Sequence, residues 1–92
     1  MMHDAELDTR KKKLNDAREL QLIVMGNLMK TEGGRAFMWR CLQNCCTFET
    51  IYNSDASKHD YNSGKRDHGL WLDQELRTAA EDNYYLMLKE NR

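Results

Sequence analysis

The sequence predicts an all-α protein with four or five short helices in a compact bundle and a polar helical arm at the N-terminus. Three observations support this fold class. The 92-residue chain has no proline and 5 glycines, which disfavours an all-β protein with many tight turns. Its apolar residues recur at helical spacing, and no segment shows the strict alternation of a strand. It is 40% hydrophobic and 32% charged, so we expect a small core beneath a heavily solvated surface.

The first predicted helix covers residues 4–30, with Asp4 as its cap. Its first half is polar, so residues 1–18 are interpreted as an arm that faces solvent or a partner, and residues 19–92 as the helical domain. A second helix start at Asn15-Asp16 remains an alternative. The second half has an apolar face that we expect to pack into the domain. This face consists of Leu14, Ala17, Val24 and Leu28, widened by Leu20, Ile23 and Met25.

Residues 31–34 are predicted to form a turn in which glycine supplies a positive φ. A second helix follows over residues 35–46. Its apolar face consists of two adjacent rows, Phe37, Cys41 and Cys45 in one and Met38, Leu42 and Cys46 in the other. Residues 47–63 are rich in turn-forming polar residues and are interpreted mainly as a surface connection, with Phe48, Ile51 and Tyr52 as apolar anchors.

A third helix is predicted over residues 64–80, with Ser63 as its cap. One face of it contains His68, Leu72, Leu76 and Ala79 or Ala80, and Gly69 allows a neighbouring element to approach closely. A short last helix is predicted over residues 84–91, capped by Asp82 or Asn83. Its inner face consists of Tyr84, Met87 and Leu88.

The three cysteines, Cys41, Cys45 and Cys46, do not form a disulfide framework because their number is odd and they lie in one short stretch. They lack the paired CxxC spacing of a zinc site, so we interpret them as reduced core residues rather than metal ligands or nucleophiles. The carboxylates match no ExxH, HExxH or DxDxDG motif. The sequence therefore predicts no metal, no cofactor and no enzymatic activity.

Two segments share a glycine-basic opening that leads to a tryptophan, at residues 33–40 and 64–72. Arg35 and Arg66 each open a predicted helix, where a phosphate could bind. The favoured interpretation is that they pair with carboxylates such as Glu32, Asp67 or Glu90 and lock helix ends together. The bulky aromatic residues either fill the core or meet a partner, since such residues are enriched at interfaces. These fold-locking or partner candidates are Arg35, Trp39, Arg66, Trp71 and Tyr84.

The basic run Arg10, Lys11, Lys12 and Lys13 could contact nucleic-acid phosphates or an acidic partner. Neighbouring carboxylates dilute its field, so a solvated helix face is the favoured interpretation. The net charge of −1 gives no global basic field. No apolar run approaches a membrane span, and the first residues lack a secretory core, so we expect a soluble cytoplasmic protein.

The segments 31–39, 46–48 and 64–72, followed by Tyr84 with Met87, Glu90 and Asn91, resemble a small family of helical proteins from tailed bacteriophages, whose named member comes from a Bordetella phage. The resemblance covers about residues 20–91. It implies a small all-α virion-associated or assembly protein without a known catalytic activity. It also implies that the partners are phage structural proteins or copies of the chain itself, in the virion or in the host cytoplasm during assembly. The alternatives are a nucleic-acid-binding accessory protein, an inhibitor of a host protein, and a small metal- or thiol-dependent enzyme.

Overall fold

A computed structural model of the chain describes residues 4–50 and 54–92. These residues form four α-helices and no strand, which confirms the predicted all-α class. Residues 1–3 of the predicted arm and the predicted anchors Ile51 and Tyr52 lie outside the described residues. The helices are α1 (Asp4–Leu28), α2 (Glu32–Asn44), α3 (Ala56–Ala79) and α4 (Glu81–Asn91).

Helix α1 is one uninterrupted helix of 25 residues, with Asp4 and Glu6 in its first turn. Carboxylates are favourable there because the helix dipole is positive at the N-terminus. No residue of α1 is buried. The prediction that its apolar face packs into the domain was wrong: Leu14 is 71% exposed and Val24 is 59% exposed. Of the predicted face, only Met25 is half-buried, and the half-buried residues of α1 are Arg18, Leu22, Met25 and Gly26.

The connection from α1 to α2 is a short turn that ends at Thr31. The Thr31 hydroxyl accepts a hydrogen bond from the Gly34 amide at 3.0 Å, so Thr31 caps α2. A Cβ on Gly34 would lie 1.8 Å from the Leu28 carbonyl oxygen. The predicted turn over residues 31–34 was therefore wrong, because α2 begins at Glu32 and no described glycine has a positive φ. Gly34 is needed for close approach to α1, not for a left-handed conformation.

The C-terminus of α2 is closed by a Schellman motif. The Thr47 amide donates to the Leu42 carbonyl at 3.2 Å, and the Cys46 amide donates to the Gln43 carbonyl at 3.0 Å. Cys46 has a φ of 55°, the left-handed position that glycine usually fills. The Thr47 hydroxyl also donates to the Leu42 carbonyl at 2.8 Å, so this buried side chain is satisfied locally.

Helix α3 begins at Ala56, eight residues earlier than predicted. Asp55 caps it by accepting a hydrogen bond from the Lys58 amide at 3.2 Å, so Ser63 is an interior residue and not a cap. The polar residues 57–63 have only weakly unfavourable helix propensities. A good cap and continuation into a long helix outweigh them.

Helices α3 and α4 meet at Ala80 without an intervening loop. Ala80 has φ −157° and ψ 70°, and its carbonyl accepts a hydrogen bond from the Tyr84 amide at 2.8 Å. No side chain caps α4, which begins at Glu81, so the predicted cap at Asp82 or Asn83 was wrong.

The core lies where α2, α3 and α4 meet the end of α1. Leu76 is buried as predicted, and so are Tyr84 and Met87, while Leu88 packs against them. Phe37, which was predicted to face inward, is 57% exposed. The fully buried core residues are Met29, Leu42, Leu76, Tyr84 and Met87.

The molecule measures 54 × 36 × 15 Å and has a radius of gyration of 17.3 Å. A compact domain of this length has a radius of gyration of about 12 Å. The chain is thus more extended than a compact bundle. In the described ranges, no helix is both long enough and apolar enough to cross a bilayer.

Candidate interaction surface

A continuous side of α1, together with one residue of α3, exposes large apolar side chains. Leu20 is 62% exposed, Val24 is 59% exposed, and Trp71 of α3 is 55% exposed. Soluble monomers rarely leave large contiguous apolar patches in water, and such patches mark contact sites. We define the α1–Trp71 surface as Leu14, Leu20, Val24, Leu28 and Trp71.

A groove of about 490 Å³ runs between α1 and α3 within this surface. Val24 and Met25 form one wall, and Trp71 forms the other. Arg18 Nη2 lies 2.5 Å from Glu75 Oε2, which ties the two helices together at the edge of the groove. The groove is therefore an apolar cleft with one ion pair at its rim.

The Trp71 side chain is oriented by its neighbour on α3. The ring centroids of His68 and Trp71 lie 5.3 Å apart, with 31° between the ring planes. Tryptophan is the residue type most enriched among energetically dominant contact residues. Trp71 thus stands as an oriented, half-exposed anchor beside the groove.

The predicted site residue Arg35 is buried and bound within the chain. Its Nε donates to Glu90 Oε1, and its Nη2 donates to Glu90 Oε2 at 3.4 Å. Its Nη1 donates to the Met29 carbonyl at 3.0 Å. Arg35 therefore fastens α2 to α4 and to the turn after α1, with one of the three carboxylates that the sequence suggested.

Tyr84 belongs to a second polar network, with Asp73 and Arg77 of α3. Its hydroxyl donates to Asp73 Oδ1 at 2.6 Å and accepts from Arg77 Nη2 at 3.0 Å. Arg77 Nε donates to Asp73 Oδ2 at 3.0 Å, and its guanidinium lies 4.6 Å from the Tyr84 ring centre. Burial, aided by the hydrogen bond to Asp73, raises the pKa of the Tyr84 hydroxyl. The hydrogen bond to Tyr84 raises the pKa of Arg77.

The two glycine-basic segments have different structural roles. Trp39 is half-buried, stacks on Phe48 with ring centroids 5.6 Å apart, and packs against the core. Arg66 does not open a helix as predicted, because α3 begins ten residues before it. Its Nε is buried and makes no hydrogen bond among the described residues. The two segments resemble each other in sequence, but one begins a helix and the other lies inside one.

The basic run, residues 10–13, is exposed on α1. Four consecutive residues span slightly more than one helical turn, so their side chains point to all sides of the helix. The helix contains five basic and five acidic residues, so its formal charge is zero. The acidic residues are Asp4, Glu6, Asp8, Asp16 and Glu19, and the basic ones are Arg10, Lys11, Lys12, Lys13 and Arg18.

Cys41, Cys45 and Cys46 are free and half-buried at the end of α2. They lie outside the fully buried core that the sequence led us to expect for them. Within residues 4–50 and 54–92, no group of three or more His, Cys, Asp or Glu side chains is arranged to hold a metal ion.

The sequence interpretation missed Asp73 and Arg77. Their i, i+4 spacing on a predicted helix is a recognisable signal for an ion pair, and this signal would have identified them. The exposure of Leu20 and Val24 had no comparable signal, because helical periodicity identifies an apolar face and does not say which molecule covers it.

No protein-family model, no curated protein and no solved structure matches this chain.

Proposed function

We propose that the chain is a bacteriophage virion-associated or assembly protein that acts through protein–protein contacts and not through catalysis. The exposed α1–Trp71 surface is the observation that carries the contact role. Covering a Leu or Val side chain stabilises a complex by about 1.5–3 kcal/mol relative to leaving it in water. The phage assignment depends on the sequence resemblance described above.

The arrangement of polar groups supports a binding role. Arg35 and Glu90 hold helices together, and so do Asp73, Arg77 and Tyr84. These two networks do not involve the apolar side of α1, whose leucine and valine side chains stay exposed. Residues 4–17 are all exposed, and they serve in this proposal as an arm that reaches a neighbouring protein. The partners are phage structural proteins or copies of the chain, in the head, at the head–tail junction or inside the particle.

Mass spectrometry of purified mature and immature phage particles tests this proposal. We expect the chain to be present, and we expect the Trp71→Glu variant to be incorporated less well than the wild type. Phe37→Glu is the matched control, since Phe37 is equally exposed at 57% but lies on α2. Absence of the wild-type chain from both kinds of particle would contradict the proposal.

Nucleic-acid binding is a second candidate, favoured by the exposure of residues 10–13. It carries less weight because the five carboxylates of α1 cancel the charge of its basic residues. A DNA titration followed by fluorescence anisotropy separates the two candidates. Phosphate contacts predict affinity that falls steeply with added salt, whereas the contact role predicts no binding at low salt. An inhibitor of a host protein would use the same surface, and it would be absent from particles.

A further inference from the structure

We infer that helix α1 of a second copy of this chain covers the α1–Trp71 surface, packed antiparallel in a two-fold symmetric dimer. This inference rests on the proposed function, because it takes the α1–Trp71 surface as the contact surface. It goes further by naming the occupant and its orientation.

The solvent-accessible area of the chain is larger than that of a compact monomer. It amounts to 6951 Å² for a mass of 10.9 kDa. The scaling law for folded monomers gives about 5,600 Å² for this mass. The excess, roughly 1,350 Å², exceeds the ~800 Å² that each partner buries in a typical stable interface. The chain therefore exposes more excess surface than one stable interface of typical size would cover.

The spacing along α1 matches a helix–helix seam. Its exposed side contains residues separated by alternating steps of three and four, and Leu7 lies one heptad before the first of them. This is the three-four spacing with which one helix packs against another, and it extends over residues 14–28 with Gln21 as its polar member. A helix with the same spacing is its natural partner, and α1 of a second copy meets that requirement. The seam consists of Leu14, Ala17, Gln21, Val24 and Leu28.

The position of the basic run favours an antiparallel orientation of the two helices. A parallel pair would place the two basic runs, residues 10–13, side by side, where they repel. An antiparallel pair places each run beside the C-terminal end of the other α1. The helix dipole is negative there, and the last turn of α1 contains no basic residue. The antiparallel register then sets Leu14 of one copy against Val24 of the other, and Ala17 against Gln21.

The groove beside Trp71 gives the pairing a defined anchor. In the antiparallel register, Leu14 of the second copy enters the groove between Val24 and Trp71. Leu14 is 71% exposed in the single chain, so its burial is gained only in the dimer. The two-fold axis repeats this contact, so each copy supplies one leucine and one groove.

Sedimentation equilibrium of the full chain over a wide concentration range tests the inference. We expect wild type to have twice the mass of 10.9 kDa. Leu14→Glu and Val24→Lys, each alone, should raise the dissociation constant by roughly 100-fold or more, as loss of a dominant contact does. Phe37→Glu should leave it unchanged. Far-UV circular dichroism confirms that each variant keeps its helices.

The double variant, Leu14→Glu with Val24→Lys, tests the orientation. In the antiparallel dimer each Glu faces a Lys of the other copy, so the double variant should dimerise at least ten times more tightly than either single variant. A parallel dimer sets like charges together, and no such recovery follows. Folded single variants without recovery in the double variant would overturn the antiparallel pairing, and a wild type that remains monomeric at several hundred micromolar would overturn the dimer.

Failure of this inference is distinguishable from failure of the proposed function. A monomeric wild type that enters phage particles, with Trp71→Glu excluded from them, removes the second copy and leaves the proposed function in place. A dimer that dissociates as expected on Val24→Lys supports the inference, even where particles lack the chain.

Discussion

At the scale of single residues, Asp73, Arg77 and Tyr84 form a closed network in which each side chain bonds to the other two. Asp73 is 8% exposed and Tyr84 is fully buried. Burying a carboxylate or a hydroxyl without a partner costs more free energy than a hydrogen bond returns. The network therefore stabilises the junction of α3 and α4 only while all three members are present.

The free energy of unfolding should fall at alkaline pH, because the folded state favours the protonated hydroxyl of Tyr84. Because its pKa in the folded state is raised above the ordinary 10.0, the unfolded chain releases this proton first as the pH rises. The contribution of Tyr84 to stability is thus complete below about pH 10 and is lost as the pH rises through the folded pKa. Urea unfolding at pH 8, 10 and 11 measures it. The contribution of Tyr84 to stability should be present at pH 8 and should fall from pH 10 to pH 11.

Tyr84→Phe isolates the part of this fall that belongs to Tyr84. The variant leaves Asp73 and Arg77 with one partner fewer, so we expect a loss of about 1–3 kcal/mol at pH 8. The difference in stability between wild type and variant should shrink from pH 10 to pH 11. A difference that stays constant with pH would show that the Tyr84 proton is not coupled to folding.

Cys46 is held in the left-handed region, with a φ of 55°. That conformation costs roughly 1–2 kcal/mol for a residue with a Cβ, and glycine avoids the cost. Because Cys46 is only half-buried, little packing is lost on removing its side chain. We expect Cys46→Gly to raise the free energy of unfolding by about 1 kcal/mol. Cys45→Gly, at an ordinary φ of −85°, is the control and should lower it. Chemical denaturation under reducing conditions measures both, and equal losses would refute the argument.

At the scale of secondary-structure elements, the contact between α3 and the turn that follows α2 depends on Gly69. A Cβ there would lie 2.0 Å from the Thr47 hydroxyl and 2.7 Å from Cys45 Cβ. We expect Gly69→Ala to destabilise the protein by about 1–3 kcal/mol, because the two elements must separate. Gly64→Ala on the same helix meets nothing within 4 Å, so it should stabilise by about 0.5–1 kcal/mol. Thermal unfolding distinguishes the two variants. A Gly69→Ala variant as stable as the wild type would show that the neighbouring residues shift to make room for the added methyl group.

The elements also show what the sequence could and could not predict. Tyr84 and Met87 were predictable as buried because their helix offers one apolar face to a nearby core. The first two turns of α3 were not, since the cap at Asp55 and helical continuation outweigh residues that favour turns. The face of α1 was found, but its environment was misjudged, because periodicity alone does not show whether a face packs within its own chain. Arg35 was predicted to pair with a carboxylate, and Glu90 was one of three possible partners. Only the fold shows which of the three it contacts.

At the scale of the whole molecule, the protein combines a small core with a large exposed surface. Among residues 4–50 and 54–92, five large apolar side chains are fully buried, and α1 contributes none of them. A chain this short buries only about 60–65% of the surface that its unfolded form exposes, and its stability is correspondingly marginal. If the α1–Trp71 surface is covered by a second copy, folding and association are linked by mass action.

This linkage makes the melting temperature depend on protein concentration. A tenfold increase in concentration stabilises a folded dimer by about 1.4 kcal/mol, which raises the melting temperature of a chain this size by roughly 3–6 °C. Differential scanning calorimetry at two concentrations a factor of ten apart measures the shift. Val24→Lys should melt at the same temperature at both concentrations, whereas Phe37→Glu should shift as the wild type does. A wild-type melting temperature that does not change with concentration would show that the chain folds without a second copy. The partner of α1 would then be found only in the larger assembly.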